Sequence, residues 1–175
     1  IGLGSQADYG RHDELLSEEM STQPATLYGV SKLATCRLSK KLCEHQGINF
    51  AWARLFASYG PADNDCWLIP FIIRHLLRGE EPPLTPGQQL WDYLYVEDAA
   101  EAIYSLLCSG AEGVYNLGSG NPHTVRRIAE TIRDLVAPDL PLGLGEIPYG
   151  EDQIMHLEAD ITRITETTGW RPTTD

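Results

Sequence analysis

Tyr28 and Lys32 have the residue types and spacing best suited to chemistry in this sequence. They lie four apart in Tyr28-Gly29-Val30-Ser31-Lys32, which puts both side chains on one face of a helix. A free phenol has a pKa of about 10, too high for a base at neutral pH. A nearby ammonium favours the phenolate. The pair can then exchange a proton with a substrate hydroxyl while a hydride moves elsewhere. Upstream, Gly4-Ser5-Gln6-Ala7-Asp8-Tyr9-Gly10 offers a hydroxyl, Ser5, able to hydrogen-bond the same substrate oxygen. A tyrosine and a lysine four apart also occur by chance, as a surface lysine beside a half-buried tyrosine. The elements around them have to decide.

Those elements alternate. Ile1 to Leu3 fits the end of a strand, and Ser5 to Gln23 is polar and irregular, expected as loop. Ala25 to His45 predicts a helix, with Pro24 where a first turn tolerates it and Gly47 as the stop. Ile48 to Phe56 predicts a buried strand, broken by Tyr59-Gly60-Pro61. Trp67 to Leu77 predicts a second helix and Tyr93 to Val96 a short strand. Glu97 to Cys108 follows as a helix with acids in its first turn. Val114 to Leu117 predicts a strand, Val125 to Val136 a helix, Pro138 to Gly150 a loop and Ile161 to Thr168 a last short helix. Strands alternating with helices define an α/β class.

Composition narrows the functions. The chain has 175 residues, enough for one ordinary domain. Its 13 Lys and Arg against 25 Asp and Glu give a net charge of -12. That balance excludes a basic footprint for nucleic acid and a polybasic membrane anchor. No apolar run reaches the roughly 18 residues of a membrane span. From Asp134 onward there are nine acids and two arginines, read as a solvated surface. Four cysteines, Cys36, Cys43, Cys66 and Cys108, form no C-x-x-C pair, so no metal site is expected and a reduced, cytoplasmic setting is.

Taken together, Ser5, Tyr28-x-x-x-Lys32, Ala53-Arg54-Leu55-Phe56 before Tyr59-Gly60-Pro61, Trp91-Asp92-Tyr93-Leu94-Tyr95-Val96, Tyr115-Asn116-Leu117-Gly118-Ser119-Gly120 and Gly169-Trp170-Arg171-Pro172 form a recurring order. It resembles the extended short-chain dehydrogenase/reductases, specifically the NAD-dependent epimerase/dehydratase family acting on nucleotide sugars. The resemblance covers essentially the whole chain. It implies Ser5, Tyr28 and Lys32 as the catalytic triad, with Tyr28 as acid/base at the sugar C4 hydroxyl and Lys32 holding the nicotinamide ribose. It implies Leu55 and Tyr59 beside an NAD or NADP cofactor, and Asn64 and Leu68 near the substrate nucleotide. It also implies a homodimer built through the helix from 25 to 45.

The sequence departs from the pattern in three places. The family opens on a strand and a Gly-rich pyrophosphate-binding turn, which this chain lacks. It is therefore expected to be the C-terminal part of an extended Rossmann-type enzyme, inactive alone. Residues 1–60 would complete the catalytic domain, and 61–175 would be mainly the substrate domain with interleaved Rossmann elements. Second, two positions where relatives carry diphosphate-clamping arginines hold Trp91 and His156. Either could serve the substrate differently, by stacking or as a conditional cation. Third, the Asp-Glu pair that dehydratases need is Gln6-Ala7 here. The expected function is thus a nucleotide-sugar epimerase or 4-ketoreductase. The alternative is a non-catalytic sugar-nucleotide-binding or partner-binding module. Asp8, with no role in either, is expected on the surface.

Overall fold

A computed structural model describes residues 1–174. In chain order the strands and helices are β1 (Gly2–Ser5), β2 (Glu14–Leu16), α1 (Leu27–Gln46), β3 (Ala51–Leu55), β4 (Ala57–Tyr59), α2 (Leu68–Leu77), β5 (Pro83–Leu84), β6 (Leu90–Trp91), β7 (Tyr93–Tyr95), α3 (Val96–Ser109), β8 (Gly113–Leu117), β9 (His123–Thr124), α4 (Val125–Val136), β10 (Gly143–Leu144), β11 (His156–Ala159) and α5 (Thr162–Thr168). A single 3₁₀ turn, Gln6–Asp8, follows β1.

The main sheet has the order β1-β3-β8 and is parallel throughout. Parallel neighbours need crossovers, and α1 supplies the one between β1 and β3. The middle strand, β3, is buried over Ala51–Arg54, as expected of a strand covered on both faces. A second sheet, β2-β11-β6-β9, is parallel except for the antiparallel β6–β9 pair. Two short parallel pairs, β4–β7 and β5–β10, complete the strands.

Three apolar clusters hold these layers. Ala51, Ala53, Leu106, Leu117, Ile164 and Trp170 pack α3 and α5 on the main sheet. Tyr9, Leu16, Phe56, Leu157 and Ala159 join the main sheet to the second one. Ile72, Leu76, Leu84 and Ala129 join α2 to α4. Helix α4 starts where Thr124 accepts the Arg127 N–H at 3.2 Å, an N-cap bond that satisfies one orphan donor.

Local signals placed the longer elements well; the segments expected as loop were less simple. Between Ser5 and Gln23 the chain forms the 3₁₀ turn and β2, and between Pro138 and Gly150 it forms β10. Asp8 is not at the surface. It is fully buried, with Oδ2 accepting from Arg54 Nε at 3.2 Å and from Trp52 Nε1 at 3.3 Å. Its partner lies 46 residues away, so nothing local announces the burial.

Candidate active site

Helix α1 begins at Thr26, whose hydroxyl accepts the Gly29 N–H at 3.0 Å. It ends at Gly47, where φ is 66°; glycine enters that left-handed region without a Cβ penalty. The helix start lies against the 3₁₀ turn. A Cβ on Gly29 would stand 2.4 Å from the Ala7 carbonyl oxygen. Glycine between Tyr28 and Val30 is thus what lets this helix press on the segment carrying Ser5.

Tyr28 and Ser5 consequently line one cavity of about 920 Å³. The wall between them is made of Gln6, Ala7 and Thr26. Ser5 caps the 3₁₀ turn, its Oγ accepting the Ala7 N–H at 3.2 Å. Lys32 sits one helical turn on from Tyr28, its Nζ 5.8 Å from the centre of the Tyr28 ring. The same Nζ donates to the Leu3 carbonyl of β1 at 3.1 Å. That bond ties the helix to the strand that ends at Ser5.

The far wall is built by β4, β6, β7 and the start of α2. Leu55, Phe56, Ala57 and Ser58 contribute one side, and Trp67, Leu68 and Ile69 another. Gln89, Trp91 and Tyr93 form a third. Burial pushes the Tyr93 phenol up to about 12, with the Asp63 carboxylate adding to the effect.

Of the residues expected at the site, Ser5, Tyr28, Leu55, Leu68 and Trp91 line this cavity. Lys32 stands behind Tyr28 rather than in the wall. Tyr59 does not line it; its ring packs against Tyr93 at 6.3 Å and Tyr95 at 5.5 Å. The residues of β4 that line the cavity are Ala57 and Ser58. Asn64 is exposed outside the wall, its Oδ1 accepting the Cys66 N–H at 3.0 Å. His156 is also outside it, with Nε2 2.7 Å from Glu158 Oε2. Gln89 and Gln153 line the cavity without having been singled out. The strand alternation of Gln89, Trp91 and Tyr93 is a signal that would have found the first of them.

Gly118-Ser119-Gly120, at the end of β8, is not an open phosphate cradle. The N–H groups of Ser119 and Gly120 already bond Asp92, at 2.6 Å and 3.0 Å. No group of three or more His, Cys, Asp or Glu able to hold a metal ion occurs among the described residues. None of their helices is long and apolar enough to cross a membrane.

A parallel sheet with Ser5 at the end of its first strand, Tyr28 and Lys32 on the crossover helix and a ligand-sized cavity beside them fits an extended short-chain dehydrogenase/reductase fold. The sequence pattern of the NAD dependent epimerase/dehydratase family matches residues 1–118. The chain belongs to that family. It is 29% identical over 177 residues to the dTDP-glucose 4,6-dehydratase of Neisseria meningitidis, covering 94% of this chain and 50% of that protein. The solved UDP-N-acetylglucosamine 4-epimerase of Methanobrevibacter ruminantium, in complex with UDP-N-acetylmuramic acid, superposes with a TM-score of 0.91 at 27% identity. That match covers 99% of this chain and 57% of the other. RMD from Pseudomonas aeruginosa, complexed with NADPH, superposes with a TM-score of 0.88 at 27% identity, covering 99% and 60%. The chain thus spans about half the length of the proteins it matches.

Proposed function

We propose that this chain is the C-terminal, substrate-side part of a nucleotide-sugar epimerase or 4-ketoreductase working with NAD or NADP. The observation that carries this reading is the shared wall of Ser5 and Tyr28 with Lys32 behind it. In the reaction Tyr28 takes or gives a proton at the sugar C4 oxygen, and Ser5 orients that oxygen by hydrogen bonding. Lys32 holds a positive charge near the phenol, which favours charge developing on its oxygen. The bound nicotinamide supplies hydride acceptance and donation. Tyr28, Lys32 and Leu55 are the residues here that would hold it, Lys32 at the ribose and Leu55 along the ring. The apolar Leu55 and Phe56 stretch of the same cavity lining suits a flat ring.

Two further observations bear on the reaction and the assembly. Gln6 and Ala7 line the cavity where dehydration would need ionisable groups, which favours epimerisation or ketone reduction. Leu27, Val30, Leu38 and Leu42 of α1 are all exposed. An apolar stripe of that kind supports pairing of two copies through the helix from 25 to 45. Residues 1–60 then belong to the catalytic domain and 61–175 mainly to the substrate domain, with β8 returning to the main sheet. The four free cysteines fit a reducing compartment, the cytoplasm.

The test is Tyr28→Phe in the native polypeptide that carries this chain. Turnover of 4-keto and 4-hydroxy sugar nucleotides is expected to fall by roughly 10²–10⁴. Unchanged turnover would remove Tyr28 as the acid/base.

A further inference from the structure

Asp8 is a buried charge that the proton relay leaves without a task. It closes the 3₁₀ turn that Ser5 caps. Asp8 and its partners Trp52 and Arg54 all lie outside the cavity wall, yet they bear on the strand end that delivers Ser5. Strand β1 pairs with β3 so that Gly2 lies beside Trp52 and Gly4 beside Arg54. The Trp52 indole covers both glycines: a Cβ on Gly2 would collide with its ring, and one on Gly4 with its Nε1. That Nε1 donates to Asp8 Oδ2 at 3.3 Å, and Arg54 Nε donates to the same oxygen at 3.2 Å.

The turn is thereby gripped from two directions. On the sheet side, β3 holds its last residue, Asp8, by two directed bonds. On the helix side, α1 presses on its middle residue, with Gly29 against the Ala7 carbonyl. Tyr28 is the neighbour of Gly29, and Ser5 Oγ accepts the Ala7 N–H at 3.2 Å. Cys36, further along α1, is buried near the same ion pair; burial pushes its thiol up and the Asp8 carboxylate adds to the effect. A buried ion pair adds little stability over apolar residues of similar volume, and this one leaves Asp8 Oδ1 and Arg54 Nη1 without partners. What it supplies and apolar packing does not is direction, since hydrogen bonds weaken steeply away from their preferred geometry.

We propose that Asp8 is a positioning residue for Ser5. Its bonds to Trp52 and Arg54 fix the place of the 3₁₀ turn, and so the spacing of Ser5 Oγ from the Tyr28 phenol. The inference rests on the nucleotide-sugar reading for the reaction that this spacing serves.

The test is the double variant Asp8→Leu/Arg54→Met in the native polypeptide, which removes the clamp without leaving a lone buried charge. Urea unfolding should show stability close to wild type. Deuterium uptake over residues 3–9 should rise, because the Ala7 N–H loses its fixed acceptor; this readout needs no substrate. With 4-keto and 4-hydroxy sugar nucleotides, kcat should fall about tenfold to a hundredfold at unchanged KM, as for a misplaced reacting group. Because the loss acts through Ser5, adding Ser5→Ala to the double variant should lower kcat little beyond Ser5→Ala alone. Where urea shows the double variant to be destabilised, Trp52→Phe is the second variant. It keeps a ring over Gly2 and Gly4 and removes the indole N–H. It should raise the same uptake and lower kcat by about threefold, the equivalent of one weak hydrogen bond. Wild-type uptake or wild-type kcat in a folded clamp variant overturns the inference. So does a kcat loss that adds in full to that of Ser5→Ala. Full turnover in Tyr28→Phe sinks the relay, whatever the clamp variants do; Tyr28-dependent turnover with wild-type kcat in them sinks the positioning role alone.

Discussion

Two buried aspartates in this chain solve the same problem in different ways. Asp92, between β6 and β7, is fully buried and accepts four hydrogen bonds. Three come from the backbone N–H groups of Ser119, Gly120 and Ala159, and one from the Ser119 hydroxyl. It bolts the turn after β8 to β11. Asp8, on the near side, is also fully buried but has a charged partner, Arg54. That guanidinium lies over the Tyr9 ring, 4.4 Å from its centre. Here Asp8 Oδ1 and Arg54 Nη1 are left without partners. The difference is one of dependence. Asp92 satisfies backbone groups that no substitution can remove. Asp8 and Arg54 chiefly satisfy each other, so they can in principle be removed together.

The largest effect follows at Asp92. Asp92→Leu strands the buried Ala159 N–H and the part-buried donors of Ser119 and Gly120, at a cost on the order of 1–3 kcal/mol for the buried one and less for each of the others. We expect loss of about 4 kcal/mol or more, enough to unfold a chain of ordinary marginal stability. Urea unfolding measures it. Recovery by any single apolar partner substitution would show that the backbone groups find water, and the contrast with Asp8 would fail.

A smaller and reversible loss is expected at the ion pair. Arg54→Met leaves the Asp8 carboxylate buried and unpaired, at a cost of about 3–5 kcal/mol. Adding Asp8→Leu should return most of that, because apolar replacement of a buried pair is often neutral or stabilising. The double-mutant cycle is the measurement. If the double variant is as unstable as Arg54→Met alone, the pair has obligations beyond its own partners, with Trp52 Nε1 and the Tyr9 ring the first suspects.

How much of this could be read in the sequence depends on the distance over which each feature is decided. Helix α4 matches its expected bounds, Val125 to Val136, because an amphipathic period and an N-cap threonine are local signals. Tyr28 and Lys32 fall on one helix for the same reason. β2 and β11 have no such local signal: Glu14 pairs with Leu157 and Leu16 with Ala159, and segments of three and four residues are too short to show a strand period by themselves. Asp8, expected at the surface, is buried because Arg54 and Trp52 reach it from β3. His156 and Asn64 are residues that the family resemblance implies near the substrate, and neither lines the cavity. Both are taken up by near neighbours, Glu158 and Cys66.

The smallest expected effect concerns a third buried aspartate, intermediate between the other two. Asp98, in the first turn of α3, accepts Thr173 N–H at 3.0 Å, Thr173 hydroxyl at 2.8 Å and Thr174 N–H at 3.0 Å. Like Asp92 it serves backbone donors, here those of Thr173 and Thr174 just after Pro172. Burial pushes its carboxyl up, yet the Thr173 and Thr174 bonds together outweigh that and hold it below its usual value. A depressed carboxyl stabilises the fold fully above its unfolded pKa of about 4. The contribution is lost as pH falls through the lower folded value. Asp98→Asn keeps one acceptor and loses the titration. The wild-type chain should therefore lose its advantage over Asp98→Asn on acidification below about pH 4, as followed by Tm. Parallel Tm curves through that range would mean that Thr173 and Thr174 dock without help from the charge. Asp98 would then behave as a neutral acceptor, in contrast to Asp8 and its charged partner Arg54.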